Sequence, residues 1–157
     1  MSHTYSQILY HVVFATKFRE KLIVPETQAR LYPYILTVVT NERGEISAIG
    51  GMPDHVHLLV RLKPHLSLSH LVGSLKANSC RLIREEIGCR DFSWQEGFSA
   101  FSVSQSGAMV VRRYIQSQER HHRRLTFERE WTTLLDRHHI DYDPADPFGD
   151  RSPQGGS

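Results

Sequence analysis

Two histidines separated by one residue are the first side chains in this sequence that could do chemistry. They are His55 and His57, in the stretch Met52-Pro53-Asp54-His55-Val56-His57-Leu58-Leu59-Val60. In an extended strand side chains alternate between faces, so both imidazoles point one way while Val56, Leu58 and Val60 point the other. Two imidazoles on one side of a rigid strand can share a divalent metal ion. Such a pair needs a third ligand and a nucleophile from elsewhere; taken alone, a His-x-His on a strand is more often two polar residues at a sheet edge.

A helix expected over about Ala108 to Arg124 supplies both. At roughly 100° per residue, Val110, Val111, Tyr114, Ile115, Gln118, His121 and His122 share one broad stripe, with Tyr114 and Gln118 about 40° apart. Gln118 offers an amide oxygen to a hard cation, and Tyr114 a phenol that can act as nucleophile. Taken singly, Tyr114 would be a core aromatic and Gln118 a surface amide. Together with a metal they suit phosphodiester cleavage, in which negative charge builds on phosphate oxygens that a divalent ion stabilises. The product would be a covalent phosphotyrosine that keeps the bond energy for rejoining.

The elements that must hold these residues follow from periodicity. Gln7 to Thr16 is apolar on both faces and reads as a central strand. Pro25 opens a helix carrying Leu31, Tyr34, Ile35 and Val38, in which Pro33 should produce a kink or mark the start of the regular part; Gly44 follows its end. Ile46 to Gly51 and His55 to Leu62 form a hairpin. Ser67 or Ser69 caps a second helix ending near Gly88, Phe98 to Ser104 is a strand, and Phe127, Trp131, Leu134 and Leu135 mark a last amphipathic helix. Strand, helix, strand, strand, helix, strand, then helices is a ferredoxin-like (RRM-like) α+β order: an antiparallel βαββαβ sheet with appended C-terminal helices.

Composition narrows the class. The 157 residues carry a net charge of only +2, with 39% hydrophobic and 23% charged residues, so a single globular domain is expected and disordered or fibrous classes are excluded. No apolar run suits a membrane span or a signal peptide, which predicts a cytoplasmic protein. Cys80 and Cys89 match no zinc or disulfide spacing. Local clusters must carry any nucleic-acid contact: Arg112, Arg113, Arg120, Arg123 and Arg124, which the helical projection places away from Tyr114 and Gln118, and Lys76, Arg81 and Arg84. Trp94 and Phe98 suit base stacking or core packing.

The segments Gly50 to Val60, Leu71-Val72-Gly73-Ser74-Leu75-Lys76, Trp94-Gln95-Glu96-Gly97-Phe98 and Tyr114-Ile115-Gln116-Ser117-Gln118 with His121-His122 together resemble the small single-tyrosine transposases of the HUH endonuclease superfamily. These include transposase A of the smallest bacterial insertion sequences and transposases associated with repetitive extragenic palindromes (REPs). The resemblance runs from about Tyr5 to Tyr142. It implies a transposase domain over residues 1–140 and leaves 141–157 as a flexible tail. It also implies single-stranded hairpin DNA as partner, Mg2+ or Mn2+ as cofactor, and strand cutting and rejoining through a 5'-phosphotyrosine. By position, His55, His57 and Gln118 would be metal ligands and Tyr114 the nucleophile, in a homodimer whose tyrosine helix completes the partner's histidine site. Two other readings remain: a catalytically silent hairpin-binding module, and a metal phosphohydrolase acting through water.

Overall fold

The computed structural model describes residues 2–150. Four strands, β1 (Leu9–Ala15), β2 (Glu45–Met52), β3 (His55–Arg61) and β4 (Ser99–Val103), form one antiparallel sheet in the order β2-β3-β1-β4. This is the ferredoxin-like α+β arrangement expected from the order of elements. β1 and β3 occupy the middle and are buried on both faces, which is why both their faces are largely apolar, with His11, His55 and His57 as buried polar exceptions.

Helices cover both faces. α1 (Pro25–Asn41) and α2 (Leu68–Arg81) pack on one, where Val12, Phe14, Leu31, Ile35, Val56, Leu58, Leu71 and Leu75 build the main core. α1 runs on through Pro33, which faces solvent, and Ser67 Oγ caps α2 by accepting from the His70 N–H. α2 passes into a wide π-type turn, Leu82–Ile87, and stops at Gly88, whose φ of 94° suits glycine. No helix among the described residues is long and apolar enough to cross a membrane.

The opposite face carries the C-terminal helices and two smaller apolar clusters. One joins Leu9, Ala48 and Leu59 of the sheet to Ile115 of α3 (Ala108–Gln116); the other joins Val13, Ala15 and Phe101 to Phe127, Trp131, Leu134 and Leu135 of α5 (Phe127–Arg137). The single helix expected to Arg124 is broken. At Ser117 (φ −109°, ψ 26°) the chain leaves helical geometry, and a short α4 (Gln118–His121) restarts beyond it. The Ser117 hydroxyl donates to the Arg113 carbonyl at 2.8 Å, the local competition that makes serine a poor helix interior residue.

Residues 141–157 were expected as a tail. In its described part Tyr142 and Phe148 pack on the second cluster, the Trp131 indole N–H donates to the Pro147 carbonyl at 2.8 Å, and Arg19 pairs with Asp150. Residues 151–157 lie outside the described residues.

Gly50 sets how closely α3 approaches the sheet. A Cβ there would lie 2.1 Å from the Ile115 carbonyl oxygen, a backbone atom that cannot step aside. Gly50→Ala should therefore push α3 outward and cost about 1–3 kcal/mol, the usual overpacking range, read by denaturant unfolding. Unchanged stability would show that α3 tolerates the displacement.

Candidate active site and metal centre

A strip of polar side chains lies in the seam between the two small clusters. His55 and His57 leave β3 on the same face, as the alternation required, and both are fully buried. Antiparallel pairing sets His11 of β1 diagonally across from His57, with His11 Nε2 2.8 Å from His57 Nδ1. From above, α4 lowers Gln118 and the turn after it lowers His122, while α5 lowers Glu130.

The Glu130 carboxylate, 1% exposed, stands at the centre. Its Oε1 is 3.0 Å from His57 Nε2, 3.1 Å from His122 Nε2 and 3.3 Å from His55 Nε2. Its Oε2 accepts from the Gln118 amide N–H at 3.0 Å and from the Tyr114 hydroxyl. That amide bond turns Gln118 Oε1 toward the rings, 2.9 Å from His55 Nε2 and 3.0 Å from His122 Nε2.

The outer nitrogens are spoken for. His55 Nδ1 meets Asp54 Oδ1 at 2.7 Å, and His122 Nδ1–H donates to the Leu125 carbonyl at 2.8 Å. Phe127 stacks flat on the His55 ring, with centroids 3.8 Å apart and planes 5° from parallel. With Nδ1–H donating to Leu125, His122 Nε2 faces two oxygens that are themselves acceptors, Gln118 Oε1 and Glu130 Oε1. Acceptors aimed at one another need a cation between them, either protons or a metal ion.

The charges agree with that reading. At His55 burial works against the imidazolium, but the bonds to Asp54 and Glu130 outweigh it and its pKa is pushed up to about 9. At His57 burial prevails over the pull of Glu130, and the pKa falls to about 4. Burial also opposes the Glu130 charge, yet hydrogen bonds from His122, His55 and His57 hold its pKa well below the carboxylate range. Burial first, and then the Glu130 charge, raise that of Tyr114 and keep the phenol protonated.

Nitrogens and oxygens of this kind suit a divalent metal. Ligand atoms of His55, His122 and Glu130 lie within 4.8 Å of one another; Gln118 Oε1 borders this group through His55 and His122, and His57 Nε2 borders it through Glu130 Oε1. The expected set His55, His57, Gln118 and Tyr114 thus meets, and it meets within one chain: the Tyr114 ring stands edge-on to His57 at 5.8 Å of its own chain, where the resemblance implied the partner's histidines.

Glu130, His122 and His11 were not assigned roles from the sequence. Glu130 had a signal: it falls between Phe127 and Leu134 on the apolar stripe of α5, where an unpaired carboxylate would be costly. His11 had a weaker one, a histidine among apolar residues on a central strand.

The basic residues divide. Lys76 Nζ donates to the Gln95 and Gly97 carbonyls and Arg84 to the Phe92 carbonyl, so both anchor the loop before β4. Trp94 is buried, donating to Ser79 Oγ, and Phe98 packs against the main core. Arg81, Arg112, Arg113 and Arg120 are exposed. Arg123 and Arg124, expected on the far side of a continuous helix, instead join Lys21 along a groove of about 590 Å³ that Asp54, His122 and Phe127 also line. The break at Ser117 and the turn after His121 bring them there.

Residues 4–118 match the family model of IS200-like transposases. Two curated relatives are similar over most of their length. The ISDra2 transposase TnpA of Deinococcus radiodurans is 26% identical, with 71% of this chain and 84% of the relative aligned; the transposase of insertion sequence element IS200 of Salmonella typhimurium is 26% identical, with 75% and 81% aligned. A crystal structure assigned to a transposase of D. radiodurans superposes with a TM-score of 0.58 at 25% identity, covering 75% of this chain and 95% of that one. A REP-associated tyrosine transposase bound to a REP hairpin shares the fold, with a TM-score of 0.57 at 17% identity over 74% and 70% of the two chains. With the family model spanning the sheet, Tyr114 and Gln118, the chain belongs to the IS200-like transposases, a family of DNA transposition.

Proposed function

We propose that the chain cuts and rejoins single-stranded DNA at hairpins, with Tyr114 as nucleophile and a 5'-phosphotyrosine as intermediate. The observation that carries this reading is the sharing of Glu130: one carboxylate oxygen faces three imidazoles and the other accepts from the Tyr114 hydroxyl. Nucleophile and cation site are thus one unit. The hairpin carried by the REP-associated relative supports the choice of substrate.

In the reaction Tyr114 Oη bonds to phosphorus and the P–O3' bond breaks. The phenol proton leaves by the Glu130 side, and the departing 3' oxygen ends as a hydroxyl. Rejoining is the reverse, with a 3' hydroxyl displacing the tyrosine. His55, His57, His122, Gln118 and Glu130 would hold a divalent ion, which polarises the phosphate oxygens when bound. Three imidazoles in the set favour Mn2+ over Mg2+, which prefers oxygen ligands. Lys21, Arg123 and Arg124 flank the strand in the groove beside His122.

Labelled hairpin DNA with Mn2+ should give a denaturant-resistant adduct with the wild type and none with Tyr114→Phe; an adduct on the variant would remove the nucleophile assignment. Because one chain supplies every group, mixing His55→Ala with Tyr114→Phe should restore nothing, whereas recovered adduct would mean sites shared in a dimer. Glu130→Ala should abolish adduct formation and weaken Mn2+ binding by at least tenfold. Full activity in that variant would reduce Glu130 to a packing residue. Arg123→Ala with Arg124→Ala should lower the salt dependence of hairpin binding by about one unit of slope per lost phosphate contact; an unchanged slope would take the strand out of the groove.

A further inference from the structure

Asp54 backs His55, but what backs His57 is another histidine. We propose that His11 is a positioning residue for the metal centre, holding the His57 ring through its Nε2 so that His57 Nε2 stays aimed at Glu130. The inference rests on the metal reading of the site.

His11 is 4% exposed on a central strand, between His57, Phe101 and Tyr114. A buried imidazole is costly without a partner, and the partner here is His57 Nδ1, 2.8 Å from His11 Nε2. A neutral imidazole can donate or accept at the same nitrogen, according to its tautomer.

Without a metal, His57 Nε2–H donates to Glu130, so His57 Nδ1 must accept, and His11 Nε2–H supplies the proton. With a metal on His57 Nε2, the His57 proton sits on Nδ1 and His11 Nε2 accepts it. Each ring keeps one proton and no net charge moves; the two tautomers shift together. A carboxylate in the place of His11 could serve only the second state. His11 thereby supports the ring both before and after the ion arrives.

The side-chain amide of glutamine can place a donor or an acceptor where Nε2 stands, while asparagine falls short and phenylalanine offers neither. Purified wild type, His11→Gln, His11→Asn and His11→Phe would be titrated with Mn2+ alone and free ion followed by electron paramagnetic resonance. Hairpin binding in chelator and thermal melting are the controls. Wild-type and His11→Gln affinities should agree within about threefold, while His11→Asn and His11→Phe lose about 10- to 100-fold with hairpin binding unchanged. His11→Asn binding Mn2+ as tightly as wild type, or His11→Gln falling with it, would overturn the assignment. A wild type that takes up no Mn2+ would overturn the metal reading and this inference with it.

Discussion

A carboxylate buried beneath the sheet face is the constraint around which the site is built. Glu130 has almost no contact with solvent, and an ionised carboxylate there is stable only if several donors or a cation face it. His55, His57, His122, Gln118 and Tyr114 all turn toward it, from three separate parts of the chain. Stranding such a charge by removing its partners costs about 3–5 kcal/mol, so α5 can close on the sheet only when the histidines and Gln118 are in place. The same carboxylate joins the Tyr114 hydroxyl to the three imidazoles.

The sheet provides rigidity and the helices provide reach. His55 and His57 sit on a strand paired on both sides, so their relative positions are fixed by the backbone ladder. Gly50 removes the side chain that would hold α3 away, which lets Tyr114 come down beside His57. The interruption at Ser117 then reorients the chain, so that Gln118 and His122 approach from a direction no straight helix would give. Phe127 completes the packing by stacking on His55, and Phe148 stacks in turn against Phe127 and Trp131.

The family match ends at residue 118, yet His122, Phe127 and Glu130 lie beyond it. The matched part of the fold contains the β3 histidines and α3, and the wall that encloses them is supplied by the segment that follows. That wall also shapes the groove whose basic side comes from Lys21, Arg123 and Arg124.

The sequence by itself determined the order of strands and helices and the common face of His55 and His57, because each depends on local periodicity. Tyr114 and Gln118 do meet, but across a helix break that periodicity did not foresee, and Glu130, a charge on the apolar stripe of α5, was not read as a site residue. Only the tertiary structure decided the rest. Diagonal contacts such as His11 to His57 depend on strand register, and the placement of Arg123 and Arg124 depends on the helix break at Ser117. Lys76 and Arg84 look like free cations in sequence, but the carbonyls that occupy them belong to a distant loop. Whether a buried polar residue has a partner is a question of three-dimensional proximity, and periodicity carries no information about it.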